Sequence, residues 1–549
     1  MAMNTIAATV VGLVLISLWS LWPRKHQECA SGLRRPPTLS PSGVPLLGHL
    51  LEFMRDGSEF LTRAACYAGR DVPVKIRLPG FPSFVISGPE SVQAMFRNTR
   101  DLSTTSRSLT IMQNAFGCPP HLVEQFRPRP LVDGVQDPIE QAIHRGVQTG
   151  LMGPQLDVLA NRFQAALLEN LHTAQVGGTP IGDDWVHLPD LCSFVQEKVA
   201  ESGIGMFFGP YMISLNPGIV QDFWRWDGYV RLMFMGMPRW LIPEAYRLRE
   251  RMVQNIRRWQ KHASDNFQGP EPDGDEWEPF YGSKLVRHRQ ALHRERGITD
   301  ETARAAENLA LMWSVNANAV PAAMWYLIEV LRDADLEAET LSRVSAAALG
   351  KAEDSTTTLD VPKLCSDPLL QSMYAETLRL RFAALIVREA AHGSFSFQGW
   401  SIEKNETLLV SSQTEAMNKE VWNEGNGTAA QELDRFWASR FLVDPADPQS
   451  GPLRNPRGPN KAGAGAGAPY FSMDGLAASW IPYGGGKHLC PGRHFAKRWV
   501  ILTAAVFLTV FEIKLDSKDH VESDATQFGF GTMPVKGRVP CQIRRRRSP

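Results

Sequence analysis

Tyr483-Gly-Gly-Gly-Lys-His-Leu-Cys-Pro-Gly492 leads almost directly into an apolar-periodic run, His494-Phe-Ala-Lys-Arg-Trp-Val-Ile-Leu-Thr-Ala-Ala. A glycine turn that delivers one thiol to the start of a helix leaves a chain few ways to fold. Its three glycines reach backbone conformations closed to other residues. Such a loop can wrap a single sulfur and aim N–H groups at it, and a sulfur near a helix start is favoured as thiolate. One thiolate suits haem iron as a single axial ligand, where it pushes electron density toward O–O cleavage. Zinc would need several Cys or His close by, and the surrounding sequence offers no such cluster. The plainer alternative is a buried, inert Cys in a glycine turn.

The loop resembles the haem-binding loop of the cytochrome P450 family, Phe-x-x-Gly-x-x-x-Cys-x-Gly. Tyr483 stands in the aromatic place, Gly486 at the inner glycine, Cys490 at the ligand and Gly492 after it. The resemblance implies haem b with Cys490 as proximal ligand to the iron, and a haem-propionate contact from His488. A second motif, Tyr374-Ala-Glu-Thr-Leu-Arg379, sets Glu376 and Arg379 three apart on one helix face. By itself such a pair is an ordinary surface ion pair worth under about 1 kcal/mol. The family carries Glu-x-x-Arg about 110 residues before its Cys, a spacing similar to the one here. It closes a buried triad with a later arginine, and Phe436-Trp-Ala-Ser-Arg440-Phe441 supplies Arg440, with Ala438 and Ser439 in place of the usual proline and acid. The resemblance also places Arg388 at a haem propionate. The family's Trp-x-x-x-Arg is absent near residues 138–150, where Gln141, His144 and Arg145 are the nearest polar residues.

Helical spacing dominates the chain: Leu156–His172, Ala305–Leu331, Pro368–Phe382 and Pro491–Phe511 carry apolar residues three and four apart. Strand-like pieces are short, at Val72–Leu78, Ser83–Ser87, Phe395–Ile402 and Thr407–Val410. The expected fold class is mainly α with small β-sheets, the cytochrome P450 fold, behind an N-terminal transmembrane helix. Ile6–Trp22 is uncharged and, with its flanks, approaches the ~20 residues that cross a bilayer. Arg24 and Lys25 follow it, which leaves the rest of the chain cytosolic. A cleaved signal peptide is disfavoured because no basic residue precedes the run. The expected division is an anchor at 1–23, a basic and proline-rich hinge at 24–48 and a catalytic domain at 49–549. The expected location is the endoplasmic reticulum membrane, crossed once. Gly458–Ala468 reads as a flexible insertion. Arg544–Arg547 reads as a solvated basic end, or one touching anionic membrane lipid. Zero net charge gives no reason to expect nucleic acid, and seven scattered cysteines make no disulfide framework.

The helix over 305–331 reads Trp313-Ser-Val-Asn-Ala-Asn-Ala-Val-Pro321-Ala-Ala-Met-Trp325 at its centre. Family monooxygenases have an acid followed by Thr here, relaying protons to bound oxygen, and the alignment sets Asn318 and Ala319 in those places. Pro321 lacks an N–H, so the carbonyl of Ala317 loses its helical donor, opening a kink and a polar notch. The pattern is similar to the subgroup of steroid 7α- and 12α-hydroxylases and prostacyclin synthase. Gly218–Pro243 is dense in aromatic and methionine residues, which suits a helical core or a membrane-dipped access channel. Ile111–Phe116, Ala384–Val387 and Phe528–Met533 follow the family's recognition segments by position.

Together these readings give a membrane-bound haem-thiolate monooxygenase of a lipophilic substrate (terpenoid, sterol or polyketide-like), possible in secondary metabolism. The resemblance implies electrons from NADPH through NADPH-cytochrome P450 reductase, docking near Lys487, Arg493 and Lys497. Asn318 is expected to orient oxygen, water or substrate. Two alternatives stay open: a reductase-independent isomerase or dehydratase acting on a peroxide, and a non-catalytic haem-thiolate sensor.

Overall fold

Three- and four-residue apolar spacing turns most of this chain into helix, and the sheets are small. The computed structural model describes residues 33–40, 47–78, 81–127, 139–267, 277–351, 357–425, 431–455 and 467–547. The anchor expected at 1–23 lies outside the described residues, as do most of the hinge at 24–48 and most of the insertion at 458–468. Among the described residues no helix is long and apolar enough to cross a membrane. The described residues divide into two units.

The first unit takes in the described part of Met1–Thr104, Ala383–Asn418 and Asp474–His488. Helix α1 (Gly57–Cys66) is capped by Asp56, whose carboxylate accepts the Glu59 N–H at 2.9 Å. Helix α2 (Pro89–Arg97) opens with proline, where no amide hydrogen is needed. The sheet pairs β1 (Val74–Leu78) with β2 (Phe81–Val85), antiparallel, with Val74 opposite Val85. Strand β3 (Phe382–Ala390) pairs antiparallel with β4 (Thr407–Ser411), which runs parallel to β2. Phe84, Leu408 and Val410 pack with Val92, Met95 and Phe96 of α2 in one apolar cluster. The sequence reading carries a helix to Phe382 and assigns no strand after it. The turn to strand follows from the aromatic and branched residues Phe382, Ile386 and Val387, which suit a pleated surface better than a helix.

The second unit holds Thr105–Phe382, the described part of Lys419–Met473, and Leu489 onward. Its helices include α3 (Pro154–His172), α4 (Leu191–Phe208), α5 (Ile219–Phe234), α6 (Pro243–Asn266), α7 (Lys284–Glu295), α8 (Glu301–Asn316), α9 (Ala319–Arg332), α10 (Pro368–Arg381) and α11 (Arg493–Val510). Asp190, Ser283, Asp300 and Asp367 cap α4, α7, α8 and α10 with side-chain oxygens. Helix α11 packs along α3 and α9. Its Trp499 stacks on Phe163 of α3, with ring centroids 4.1 Å apart. Gly203 of α4 admits that indole: a Cβ there would lie 2.2 Å from the ring. Phe511–Leu515 pairs with Cys541–Arg545, which also pairs with Val186–Leu188. This corrects the reading of Arg544–Arg547 as a solvated end. Arg544 binds Glu512 at 2.6 Å, and Arg545 and Arg546 donate to the carbonyls of Leu171 and Leu508. The six described cysteines are all unpaired.

The expected continuous helix over 305–331 is divided instead of merely bent. Helix α8 ends at Asn316 and α9 begins at Ala319, with a turn at 317–318. Pro321 accounts for it, because it cannot return a hydrogen bond to the Ala317 carbonyl.

Candidate active site

Cys490 lies two residues before Gly492, the N-cap of α11. The N–H groups of Gly492 and Arg493 point at its sulfur, as the loop reading requires, and the Arg493 charge also favours thiolate. Burial nevertheless dominates and pushes the thiol up. A cation bound at the sulfur would overcome that burial, since a coordinating thiol is deprotonated outright. Arg493 donates to the Cys490 carbonyl at 3.1 Å, tying loop to helix. Lys497, one turn on, reaches Gln371 Oε1 and lies 5.8 Å from the Phe471 ring centre. Arg493 and Lys497 are thus half-buried and engaged within the unit rather than presented together as an open face.

Glu376, Arg379 and Arg440 come together in the second unit, each no more than 1% exposed. Arg379 Nε donates to Glu376 Oε2 at 2.7 Å, and Arg440 Nε donates to Glu376 Oε1 at 3.0 Å. The Trp437 N–H adds a third donor at 3.2 Å. Arg379 also donates to the Leu433 carbonyl at 2.6 Å, and Arg440 to that of Asn423. Burial alone would raise the Glu376 carboxyl, but Arg379 and Arg440 hold it below the usual carboxylate range. The replaced residues Ala438 and Ser439 do not disturb this arrangement, because the segment joins it through Trp437 N–H and the Arg440 side chain.

The first unit carries the other half of the glycine loop. Gly485 and Gly486 press on the end of α2: a Cβ would lie 2.1 Å from the Phe96 ring at Gly485, and 2.1 Å from the Phe96 carbonyl oxygen at Gly486. Gly486 also has φ +64°, so glycine is required there for space and conformation alike. Tyr483 makes an edge contact with Trp480 at 5.9 Å, and the half-buried His488 ends the short turn Gly486–His488. Arg388, on β3, is buried and donates to the Val387 carbonyl at 2.9 Å. No described carboxylate lies within ion-pair distance of it, and burial pushes its guanidinium down to about 10. A buried cation in that condition suits an anionic group such as a propionate. The donors around Cys490 and the unneutralised Arg388 therefore fit haem, each within its own unit.

Along the second half of α8 and the turn that follows it, Ala310, Trp313, Ser314 and Asn318 keep open surface, whereas Leu311, Met312, Val315 and Asn316 are buried. Four-residue spacing puts Ala310, Ser314 and Asn318 in one line. Asn316 turns away and donates to the Met312 carbonyl at 2.8 Å. Asn318 Oδ1 accepts the Thr532 N–H at 2.9 Å, and its carbonyl accepts the Thr532 hydroxyl at 3.1 Å. That pairing leaves the Asn318 Nδ2 as the donor to the open side. Ala319 follows, 9% exposed and without a polar side-chain atom. Both tryptophans of the sequence pattern also tie elements together. Trp313 Nε1 donates to Asp227 Oδ1 at 2.8 Å, and Trp325 Nε1 donates to the Met533 carbonyl at 2.7 Å.

Sequence reasoning missed Ser314, Thr532 and Asp227. Ser314 was reachable from helical spacing to Asn318, whereas Asp227 is one of two acids in an aromatic run, and nothing there points to Trp313, 86 residues away. Thr532 gives no such signal, because its partner is 214 residues away. Gly531 shows how closely that pair is fitted. It has φ +141°, and a Cβ would lie 2.0 Å from Asn318 Oδ1. Gly531→Ala is expected to lower stability by about 1–3 kcal/mol, measured by thermal melting of the holoprotein. An unchanged melt would mean that the Asn318–Thr532 contact does not constrain the short strand Phe530–Thr532.

A family model for cytochrome P450 matches residues 285–541. The cytochrome P450 monooxygenase fsoE of Humicola fuscoatra is 47% identical over 520 residues, covering 94% of this chain and 88% of that protein. The cytochrome P450 monooxygenase efuG of Hormonema carpetanum is 44% identical over 545 residues, covering 98% and 95%. Cytochrome P450 7A1 of Sus scrofa is 23% identical over 549 residues, covering 96% and 95%. The family implies a haem-thiolate iron, for which Cys490 has the surroundings just described. Relatives matched over nearly their whole length, with the loop and the Glu376 network in the family's order, show that this chain belongs to the cytochrome P450 family and is an enzyme of its monooxygenase type.

Proposed function

We propose that the chain is a membrane-anchored monooxygenase that oxidises a lipophilic terpenoid, sterol or polyketide-like molecule in secondary metabolism. Cys490 would be the ligand to iron, with His488 and Arg388 holding propionates and Tyr483, Gly486 and Gly492 shaping the loop. NADPH would supply electrons through a flavoprotein reductase at the endoplasmic reticulum membrane. When bound, the haem supplies the activation of dioxygen. The observation that carries the reading is the open line Ala310–Ser314–Asn318, which sets a hydroxyl and an amide side by side on open surface. Asn318 Nδ2 can donate to an oxygen atom there, and the Ser314 hydroxyl lies one turn away. Ser314 donates to the Ala310 carbonyl at 2.7 Å, so its lone pairs remain to accept a proton from substrate or water.

Ala319 favours a second reading, because a peroxide isomerase needs no relay hydroxyl. The two separate in one experiment, with full-length enzyme, reductase, NADPH and isotope-labelled dioxygen. A monooxygenase places label in its product and needs NADPH. Ala319→Thr is then expected to raise the ratio of product to NADPH consumed, by up to about tenfold. Full turnover of a hydroperoxide without NADPH, and no label in the product, would sink the monooxygenation of this substrate class.

A further inference from the structure

Helix α5 places one acid against a wall that is otherwise aromatic. Asp227 Oδ1 accepts the Trp313 indole N–H at 2.8 Å. Phe116 and Phe234 lie with ring centres 5.9 and 5.4 Å from that of Trp313, and Phe530 lies 6.0 Å from Phe234. Asp227, Phe234, Trp313 and Phe530 all keep part of their surface open. Burial nonetheless pushes the Asp227 carboxyl up to about 7, against the pull of the indole N–H. Asp227 thus keeps open surface beside the half-buried Trp313 that it holds. Holding Trp313 accounts for Oδ1 alone. Oδ2 has no hydrogen-bond partner among the described residues, and no described cation lies within ion-pair distance of Asp227.

We propose that Asp227 is a specificity-determining residue that anchors a hydroxyl group of a polycyclic, otherwise apolar substrate packed on Phe234, Trp313 and Phe530, which the buried Phe116 backs. This rests on the lipophilic-substrate reading and narrows it. A hydroxyl satisfies Oδ2 without bringing a charge into the aromatic wall. Flat rings offer a rigid hydrocarbon skeleton large contact area at little entropy cost.

The test is equilibrium binding to the full-length holoenzyme, followed by the shift of the haem Soret band. The probes are polycyclic terpenoid and sterol alcohols, each with its methyl ether and parent hydrocarbon. Titrations are made at pH 8, where the carboxyl is mostly ionised and only accepts. At least one alcohol is expected to bind about tenfold or more tightly than its ether, the range of a hydrogen bond to a charged group. Asp227→Leu should erase that preference. Asp227→Asn keeps an acceptor for Trp313 and turns an N–H toward the ligand, so alcohol and ether should then bind alike. The proposal is overturned by equal binding of alcohol and ether in the wild type, by a preference that survives Asp227→Leu, or by a panel in which no alcohol shifts the band. Binding uses no NADPH, reductase or turnover, so such a failure is distinct from a failure of the monooxygenase reading.

Discussion

Cys490→Ala protein is expected to lose the red-shifted Soret band that reduced, thiolate-ligated haem gives with carbon monoxide. Turnover should fall by more than about 100-fold, beyond the loss seen when a supporting group around a metal is removed. The change deletes one sulfur and no ion pair. The loop would keep the Arg493 bond to the carbonyl of residue 490 and the contacts of Gly485 and Gly486 with Phe96. Folding should therefore survive, and circular dichroism of the variant serves as the control. A Cys490→Ala protein with normal band and turnover would remove Cys490 as the ligand.

Glu376→Ala is expected to cost about 3–5 kcal/mol, because two buried guanidinium groups would lose their common carboxylate. Little holoprotein should be recovered, and what remains should melt early. Glu250→Gln is the matched comparison. It removes a carboxylate 2.7 Å from Arg239, but those side chains are 41% and 63% exposed, so the change should cost under about 1 kcal/mol. The pH dependence has a definite sign. Arg379 and Arg440 outweigh burial and hold Glu376 below its ordinary range. Its contribution is present above the unfolded-state value and is lost only as pH falls through the lowered folded value. Equal melting of Glu376→Ala and wild type would show that the three charges do not act as a buried network.

The residues that could be read from sequence are those whose partners are near in the chain or whose spacing is periodic. Glu376 and Arg379 stand three apart on a helix, and Cys490 shares one loop with its glycines. Arg440 came only from resemblance, since nothing in its own segment points back across 64 residues to Glu376. A kink near Pro321 was legible, because a missing N–H is a local fact, but not that it divides the helix at 317–318. The strand at Phe382–Ala390 was hidden by the strong helix before it. Thr532 and Asp227 were hidden for another reason: their roles are set by partners brought together only when distant segments pack.

The bond between Asn318 and Thr532 bears on any effort to redirect this enzyme. A side chain on the helix and a backbone N–H on the strand hold one another in place, and Gly531 leaves no slack between them. Substitutions at 318 and 532 should not behave as independent knobs, since residues in direct contact combine non-additively. Libraries at 318 would mostly lose the acceptor for the Thr532 N–H, whereas those at 532 keep that N–H in every residue but proline and lose only the hydroxyl bond to the Asn318 carbonyl. New shapes for this wall are reached by varying both ends at once, with glycine retained at 531.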